Sequence, residues 1–254
     1  MGFELTILGS GTCSLTLNRS MASYHLFLDG EAALVDIGAG SLRRMLESGL
    51  DYKSIETIFI SHFHIDHIAD FVPFLWATKY APGKARKSGL RVIGPPGLKA
   101  WHEKLAAVHG EWLLEMPFEM TFEEVEDQRF RFQNIEVETL PMYHSIPVNG
   151  YRFETESGVF VFTGDTGYGE NVIELSRDAD LLLIECAFPD QAPAMDTHLR
   201  PSQVGKIASA CHAKRVVLTH LYPECEEIDV VVQCKQEFSG VVEIAEDRKK
   251  YYLK

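Results

Sequence analysis

The sequence predicts an α/β (α+β) chain whose packed sheets carry a cluster of metal-binding side chains along one edge. Two observations lead there. Short apolar runs rich in β-branched residues alternate with segments of helical period from Phe3 to Ile244. The ligand-type residues His62, His64, Asp66, His67, His144, Asp165, His198 and His220 all follow the ends of such runs.

Taken in order, Phe3 to Leu8 alternates as a strand and enters the Gly9-Ser10-Gly11-Thr12 turn. No G-x-G-x-x-G and helix follow, so this is not a dinucleotide-binding fingerprint. Tyr24 to Leu28 and Ala32 to Asp36 read as a hairpin about Asp29-Gly30, and a helix is expected from Ser41, as its N-cap, to about Ser48, with Gly49 just past its end. The run from Ile55 to Ile60 reads as a buried strand leading into Ser61-His62-Phe63-His64-Ile65-Asp66-His67. The following helix should bury Ile68, Phe71, Val72, Leu75 and Trp76 on one face. Lys79 to Arg91 reads as a solvated basic loop, Leu90 to Gly94 as a strand, Leu98 to Val108 as a helix, and the stretch to Asp127 as irregular. Two hairpins follow, Phe130 to Phe132 with Ile135 to Leu140, and Asn149 to Glu154 with Val159 to Thr163. Leu181 to Glu185 is a strongly buried strand, Pro201 to Ala210 a helix with proline near its first position, and Arg215 to Leu218 a strand. A last helix from about Ile228 to Phe238 and a strand from Val241 to Ile244 close the order. No linker or low-complexity segment interrupts the chain, so residues 1–254 are expected to form one domain.

Composition narrows the function. With 254 residues and 46% hydrophobic content the chain can build a core, and it has neither an eighteen-residue apolar run nor a basic-then-apolar N-terminus. A soluble, cytoplasmic protein with no membrane partner is expected. Cys13, Cys186, Cys211, Cys225 and Cys234 are scattered, odd in number and without a C-x-x-C pair, which indicates neither a disulfide framework nor a zinc ribbon and predicts reduced thiols. The formal net charge of -13 opposes wholesale binding to extended nucleic acid and favours a small substrate.

The stretch from Ser61 to His67 carries the chemistry. Extended chain at His62 and His64 puts both imidazoles on the same side, able to share one ion, while Asp66 and His67, entering the helix, can hold a second ion nearby. Imidazole and carboxylate donors suit zinc, iron and manganese alike. His25, His102, His109 and His212 lie within or at the ends of predicted elements and are given no site role.

His-x-His-x-Asp-His, followed by His144, by the Gly164-Asp165-Thr166 turn and by His220, resembles the metallo-β-lactamase superfamily over nearly the whole chain. The resemblance implies a four-layer αββα sandwich with its site at one edge. It further implies two divalent ions, zinc first and manganese or iron as alternatives, one held by His62, His64 and His144 and the other by Asp66, His67 and His220. Asp165 would bridge the two, and Asp36 would orient ligands through hydrogen bonds. Within the superfamily, His144-Ser145-Ile146-Pro147 and the His198 loop look most like the ribonuclease Z and phosphodiesterase branch, where His198 matches a catalytic histidine. Asp70 stands where many members have a small residue, and the scattered cysteines do not reproduce the structural zinc site of the cyclic phosphodiesterases. About 20 residues separate His144 from Asp165, too few for the long tRNA-gripping arm of bacterial tRNA 3′-processing enzymes. The expected activity is therefore hydrolysis of a small phosphodiester or cyclic nucleotide by a metal-bridged hydroxide, with Asp66 and His198 as catalytic residues and a homodimer as the assembly. The alternatives are a tRNA 3′-processing-type endoribonuclease and a lactone or thioester hydrolase, the last of which predicts a pocket for an acyl chain.

Overall fold

The computed structural model describes residues 3–28, 30–83, 86, 88–193 and 195–253. Asp29 of the expected Asp29-Gly30 turn, and Lys84, Ala85 and Lys87 of the basic loop, lie outside them. In chain order, β1 (Phe3–Gly9), β2 (Ser23–Leu28) and β3 (Glu31–Ile37) form an antiparallel meander, and α1 (Ser41–Glu47) crosses to β4 (Ile55–Phe59). Then α2 (Ile65–Ile68) and α3 (Phe71–Tyr80) lead to β5 (Leu90–Gly94), and α4 (Leu98–His109) leads to β6 (Met120–Glu124), with β3 through β6 parallel. The second half begins with β7 (Gln128–Phe132), β8 (Ile135–Met142), β9 (Val148–Thr155) and β10 (Gly158–Phe162), all antiparallel. It continues through α5 (Glu170–Leu175), β11 (Leu181–Glu185), α6 (Pro201–Ala210), β12 (Arg215–Thr219), α7 (Val230–Cys234) and β13 (Val241–Ile244), whose strands run parallel. The last strand, β14 (Lys250–Leu253), returns to pair with β1, giving two seven-stranded sheets ordered 14-1-2-3-4-5-6 and 13-12-11-10-9-8-7.

The period-two rule of strands sorts the apolar residues into layers. In β11, Leu181 and Leu183 face the core between the sheets, and Leu182 and Ile184 face the outer layer with Val204 and Ile207 of α6 and Val230 of α7. On the other outer face Leu34, Ile58 and Val92 pack against Met45 of α1, Phe71, Phe74 and Leu75 of α3 and Leu98 of α4. Both faces of both sheets are thus covered, which is the αββα sandwich. Between the sheets, the Phe59 ring meets the edges of Phe132 and Phe153, each at 5.2 Å between centroids, and fixes how one sheet sits on the other.

Several local expectations are corrected. Ser41 is the first helical residue rather than the cap; Gly40 holds the cap position, and the Asp70 carboxylate accepts from Gly40 N at 3.0 Å and Leu42 N at 3.1 Å, doing the work of a capping side chain. The helix after His67 is broken into α2 and α3, with Phe74 buried where Trp76 was expected and Trp76 52% exposed. The stretch to Asp127 contains β6, the last helix is only Val230–Cys234, and α5 and β14 carry no prediction at all. The basic loop is not wholly solvated: Arg86 is buried over the Phe118 ring, donating to Ser88 O and Gly89 O, and burial pushes its pKa down to about 10.

Candidate metal centre

The ends of β4, β8, β10, β11 and β12 open on one edge of the sandwich, and each delivers a polar side chain there. Ser61 O accepts from Asn149 N at 2.9 Å and Ile60 O accepts from the Tyr151 hydroxyl at 2.7 Å, so the ligand loop after β4 is tied to the opposite sheet. After β10 the chain turns at Gly164, with φ of 62°, where a Cβ would lie 2.8 Å from Val148 Cγ1. Glycine there lets Asp165 reach the centre of the cluster.

His62, His64 and His144 converge as a trio. His62 Nε2 lies 3.1 Å from His64 Nδ1, which lies 3.3 Å from His144 Nε2. A tetrahedral ion with bonds of about 2.05 Å spaces its ligand atoms about 3.3 Å apart, so these nitrogens already stand at coordination distances. Asp66, His67 and His220 form the second group, with His220 Nε2 3.3 Å and His67 Nε2 4.0 Å from Asp66 Oδ2. Asp165 touches both: Oδ1 is 3.3 Å from His67 Nε2, and Oδ2 is 3.4 Å from His220 Nε2 and 3.8 Å from both His62 Nε2 and His144 Nε2.

The outer nitrogens of these rings are spoken for, which fixes what faces inward. His67 Nδ1–H donates to Asp36 Oδ2 at 2.7 Å and His144 Nδ1–H to Thr197 O at 2.9 Å. Ser61 Oγ donates to Asp36 Oδ2 at 2.8 Å and therefore accepts from His62 Nδ1–H at 2.9 Å. The lone pairs of His62, His67 and His144 consequently sit on Nε2, toward the cluster. His67 Nε2 and Asp165 Oδ1 are buried with no hydrogen-bond partner, the mark of atoms awaiting a cation. The donor set fits two divalent ions.

Electrostatics agree with that fit. Burial, with the charge of neighbouring histidines, holds His62 and His64 below the ordinary imidazole range, in the neutral form that binds metal. Burial opposes charge on His67 too, but the Asp165 and Asp36 carboxylates outweigh it and push its pKa well above the ordinary imidazole range, the same negative field that would draw a cation to this position. Burial likewise works against ionising Asp66 and Asp165; the His220 and His67 partners win and both carboxyls lie below their usual range.

His198 is brought to the same place. It is buried, its ring stacks parallel on His220 at 5.6 Å, and its ligand-capable atom lies with those of Asp165 and His220 within 4.8 Å of one another. Arg200, not His198, occupies the cap of α6. Sequence reasoning missed what holds His198: Glu185, at the end of β11, accepts from His198 Nδ1–H at 2.9 Å, Leu199 N at 3.0 Å and Thr166 N at 2.7 Å. Burial lowers the affinity of His198 for a proton, but this carboxylate outweighs it and pushes the pKa up to about 9. A charged residue ending an otherwise apolar strand was the available signal.

The family described as the beta-lactamase superfamily domain matches residues 33–221, which contain every residue of this cluster. The chain belongs to that family. It is a metal-dependent hydrolase of the ribonuclease Z-like branch. Ribonuclease Z of Methanothermobacter thermautotrophicus is 27% identical over 96% of this chain and 94% of its own length. The probable metallo-hydrolase YhfI of Bacillus subtilis is also 27% identical, over 95% and 96%, and its crystal structure superposes with a TM-score of 0.84 over 99% of this chain and 100% of its own, at 23% identity. A diphosphatase of the PhnP family has the same fold, with a TM-score of 0.71 at 20% identity over 98% and 97% of the two chains. No helix among the described residues is long and apolar enough to cross a membrane.

Proposed function

We propose that residues 1–254 act as one hydrolase domain that cleaves small phosphodiesters with two divalent ions, zinc first by the family resemblance, with manganese or iron equally compatible with these donors. His62, His64 and His144 hold one ion, Asp66, His67 and His220 the other, and Asp165 spans both. Bound there, the ions supply Lewis-acid chemistry, polarising phosphoryl oxygens and lowering the pKa of water toward 7. The observation that carries the reading is the His198–Glu185 pair. An imidazole fixed through Nδ1 by a buried carboxylate at 2.9 Å, which pushes its pKa up to about 9, has a ligand-capable atom within 4.8 Å of those of Asp165 and His220. Its role is to donate a proton from Nε2 to the leaving oxygen, while Glu185 keeps the ring aimed and charged. Asp36 keeps His67 and, through Ser61, His62 in the tautomer whose Nε2 is free.

A compact β9–β10 hairpin occupies the sequence between His144 and Asp165, which supports a small substrate over a gripped tRNA. Endoribonuclease activity is the second reading, favoured by the ribonuclease Z relative. The test is a side-by-side panel of bis(p-nitrophenyl) phosphate, cyclic nucleotides, 3′-extended tRNA, an acyl-homoserine lactone and a glutathione thioester. Phosphodiester turnover well above the others is expected, and lactone or thioester turnover above it overturns the reading. His198→Ala should retain metal yet lower kcat by about 10²–10⁴ on phosphodiesters with poor leaving groups, and by less on p-nitrophenyl esters, whose leaving oxygen needs little protonation.

A further inference from the structure

Four aromatic rings beside the second ligand group close into a square. His198 lies parallel to His220 at 5.6 Å between centroids with 12° between planes, and Phe188 lies parallel to Tyr222 at 4.4 Å with 20°. The two pairs meet edge to face, Phe188 at 80° to His198 and Tyr222 at 81° to His220, each at 6.2 Å. Stacked and edge-to-face rings at such separations attract one another beyond the area they bury. His220 is a candidate ligand and His198 the candidate proton donor; Phe188 and Tyr222 are neither.

The backbone builds the square in place. Phe188 follows β11 and Tyr222 follows β12, and the two loops are tied together there, with Cys186 N donating to Thr219 O at 2.8 Å and Tyr222 N to Ala187 O at 3.2 Å. Ala187 N donates in turn to Leu199 O at 3.1 Å, next to His198. The Tyr222 hydroxyl lies 3.3 Å from Cys13 Sγ, in the loop after β1, so the aromatic pair is held from both sheets.

His198 needs that support. Its hydrogen bond to Glu185 holds only Nδ1, and a ring held at one corner can still rock about that contact and swing Nε2. Among the described residues three rings meet it, His144 at 4.9 Å, His220 and Phe188. The first two belong one to each ligand group. Phe188 is the neighbour whose place is set by packing alone, through its stack on Tyr222.

We propose that Phe188 and Tyr222 are positioning residues for proton transfer: they hold the His198 ring parallel to His220, and the contact with Cys13 holds Tyr222. The inference rests on the reading of His198 as the proton donor, because both residues act through that ring.

The metal-loaded protein is assayed on methyl aryl phosphates whose leaving groups run from p-nitrophenolate to phenolate, so that the need for a proton grows while the size of the substrate barely changes. His198→Ala defines the full effect, a kcat that falls steeply toward phenolate. Phe188→Leu should retain the wild-type metal content and lower kcat by about 10–100-fold on methyl phenyl phosphate, the order of loss a slightly misplaced catalytic group causes, and by less than about threefold on methyl p-nitrophenyl phosphate. Phe188→Tyr, which keeps the ring, should keep the wild-type dependence on leaving group. In a His198→Ala background Phe188→Leu should lower kcat no further, since nothing is left to position. Tyr222→Phe and Cys13→Ala cut the same contact, so each should steepen the dependence slightly and the double variant no more than either alone. Where Phe188→Leu does not fold, Tyr222→Leu removes the partner ring and carries the same expectation. A loss from Phe188→Leu that is equal on every leaving group, or that persists in full without His198, overturns the inference and leaves the proton-donor reading standing. A His198→Ala protein with the wild-type dependence on leaving group overturns that reading and the positioning role with it.

Discussion

Replacing Asp36 by asparagine should weaken the metal-loaded protein by about 1–3 kcal/mol, because one buried carboxylate fixes a ligand in each group. Its two oxygens receive three donors: Ser61 N at 2.7 Å, Ser61 Oγ at 2.8 Å and His67 Nδ1 at 2.7 Å. An amide has one acceptor oxygen, and each of its two orientations fails differently. With the oxygen toward Ser61 N, the amino group faces His67 Nδ1 and Ser61 Oγ. His67 must then move its proton to Nε2, and the Ser61 hydroxyl, now accepting from the amide, turns its own proton to His62 Nδ1 and drives that ring to the same wrong tautomer. Loss of such supporting contacts costs about 10–100-fold in metal affinity, or roughly 1.4–2.7 kcal/mol. With the amide reversed, its amino group meets the buried Ser61 N–H, and an unsatisfied buried donor costs about 1–3 kcal/mol. Competition with a chromophoric chelator measures the first outcome, and thermal melts with and without chelator measure the second. For a chain of this size the loaded Tm should fall by about 2–10 °C. Ser61→Ala, which cuts only the branch to His62, should have the smaller effect. An Asp36→Asn protein that binds both ions with wild-type affinity and melts with wild-type Tm refutes the reasoning.

Asp165→Ala should release or loosen both ions at once, since its oxygens reach both ligand groups, and metal analysis after gel filtration should find well under half the wild-type content. Glu185→Gln should lower kcat in the manner of His198→Ala, with metal content unchanged and the loss concentrated on poor leaving groups; equal loss on all substrates would assign Glu185 a structural role instead. Asp70→Ala should cost about 1 kcal/mol by uncapping α1, read as a lower urea midpoint at unchanged slope, because Gly40 N and Leu42 N lose their acceptor.

What could be read from the sequence was whatever a few neighbouring residues settle among themselves. His62, His64, Asp66 and His67 are crowded into one turn, and chain that leaves a buried strand must deliver them to a sheet edge, so these four candidate ligands are written locally. β11 is legible for the same reason, since buried residues on both faces leave an unbroken apolar run. β14 is not: Lys250-Tyr251-Tyr252-Leu253 becomes a strand only by pairing with β1, and nothing near it announces a partner at the opposite end of the chain. β6 is half-exposed at the other edge of the same sheet and so lacks the alternation that marks a strand. Helix breaks are equally cryptic. The segment from Ile65 to Tyr80 has one helical period on paper, but Asp70 N donates to Ile37 O and the Asp70 carboxylate is drawn to the start of α1, so the helix interrupts there. That interruption turns α2 to aim Asp66 and His67 inward and leaves Trp76 facing away from the core. Trp112, in the turn after α4, meets it at 4.9 Å between ring centroids, a relation carried by the fold and by no spacing in the chain. The four candidate ligands of the turn after β4 are thus a local message, whereas His144, Asp165, His198 and His220 reach them only through the order of the strands in the second sheet, a tertiary relation that no spacing in the chain carries.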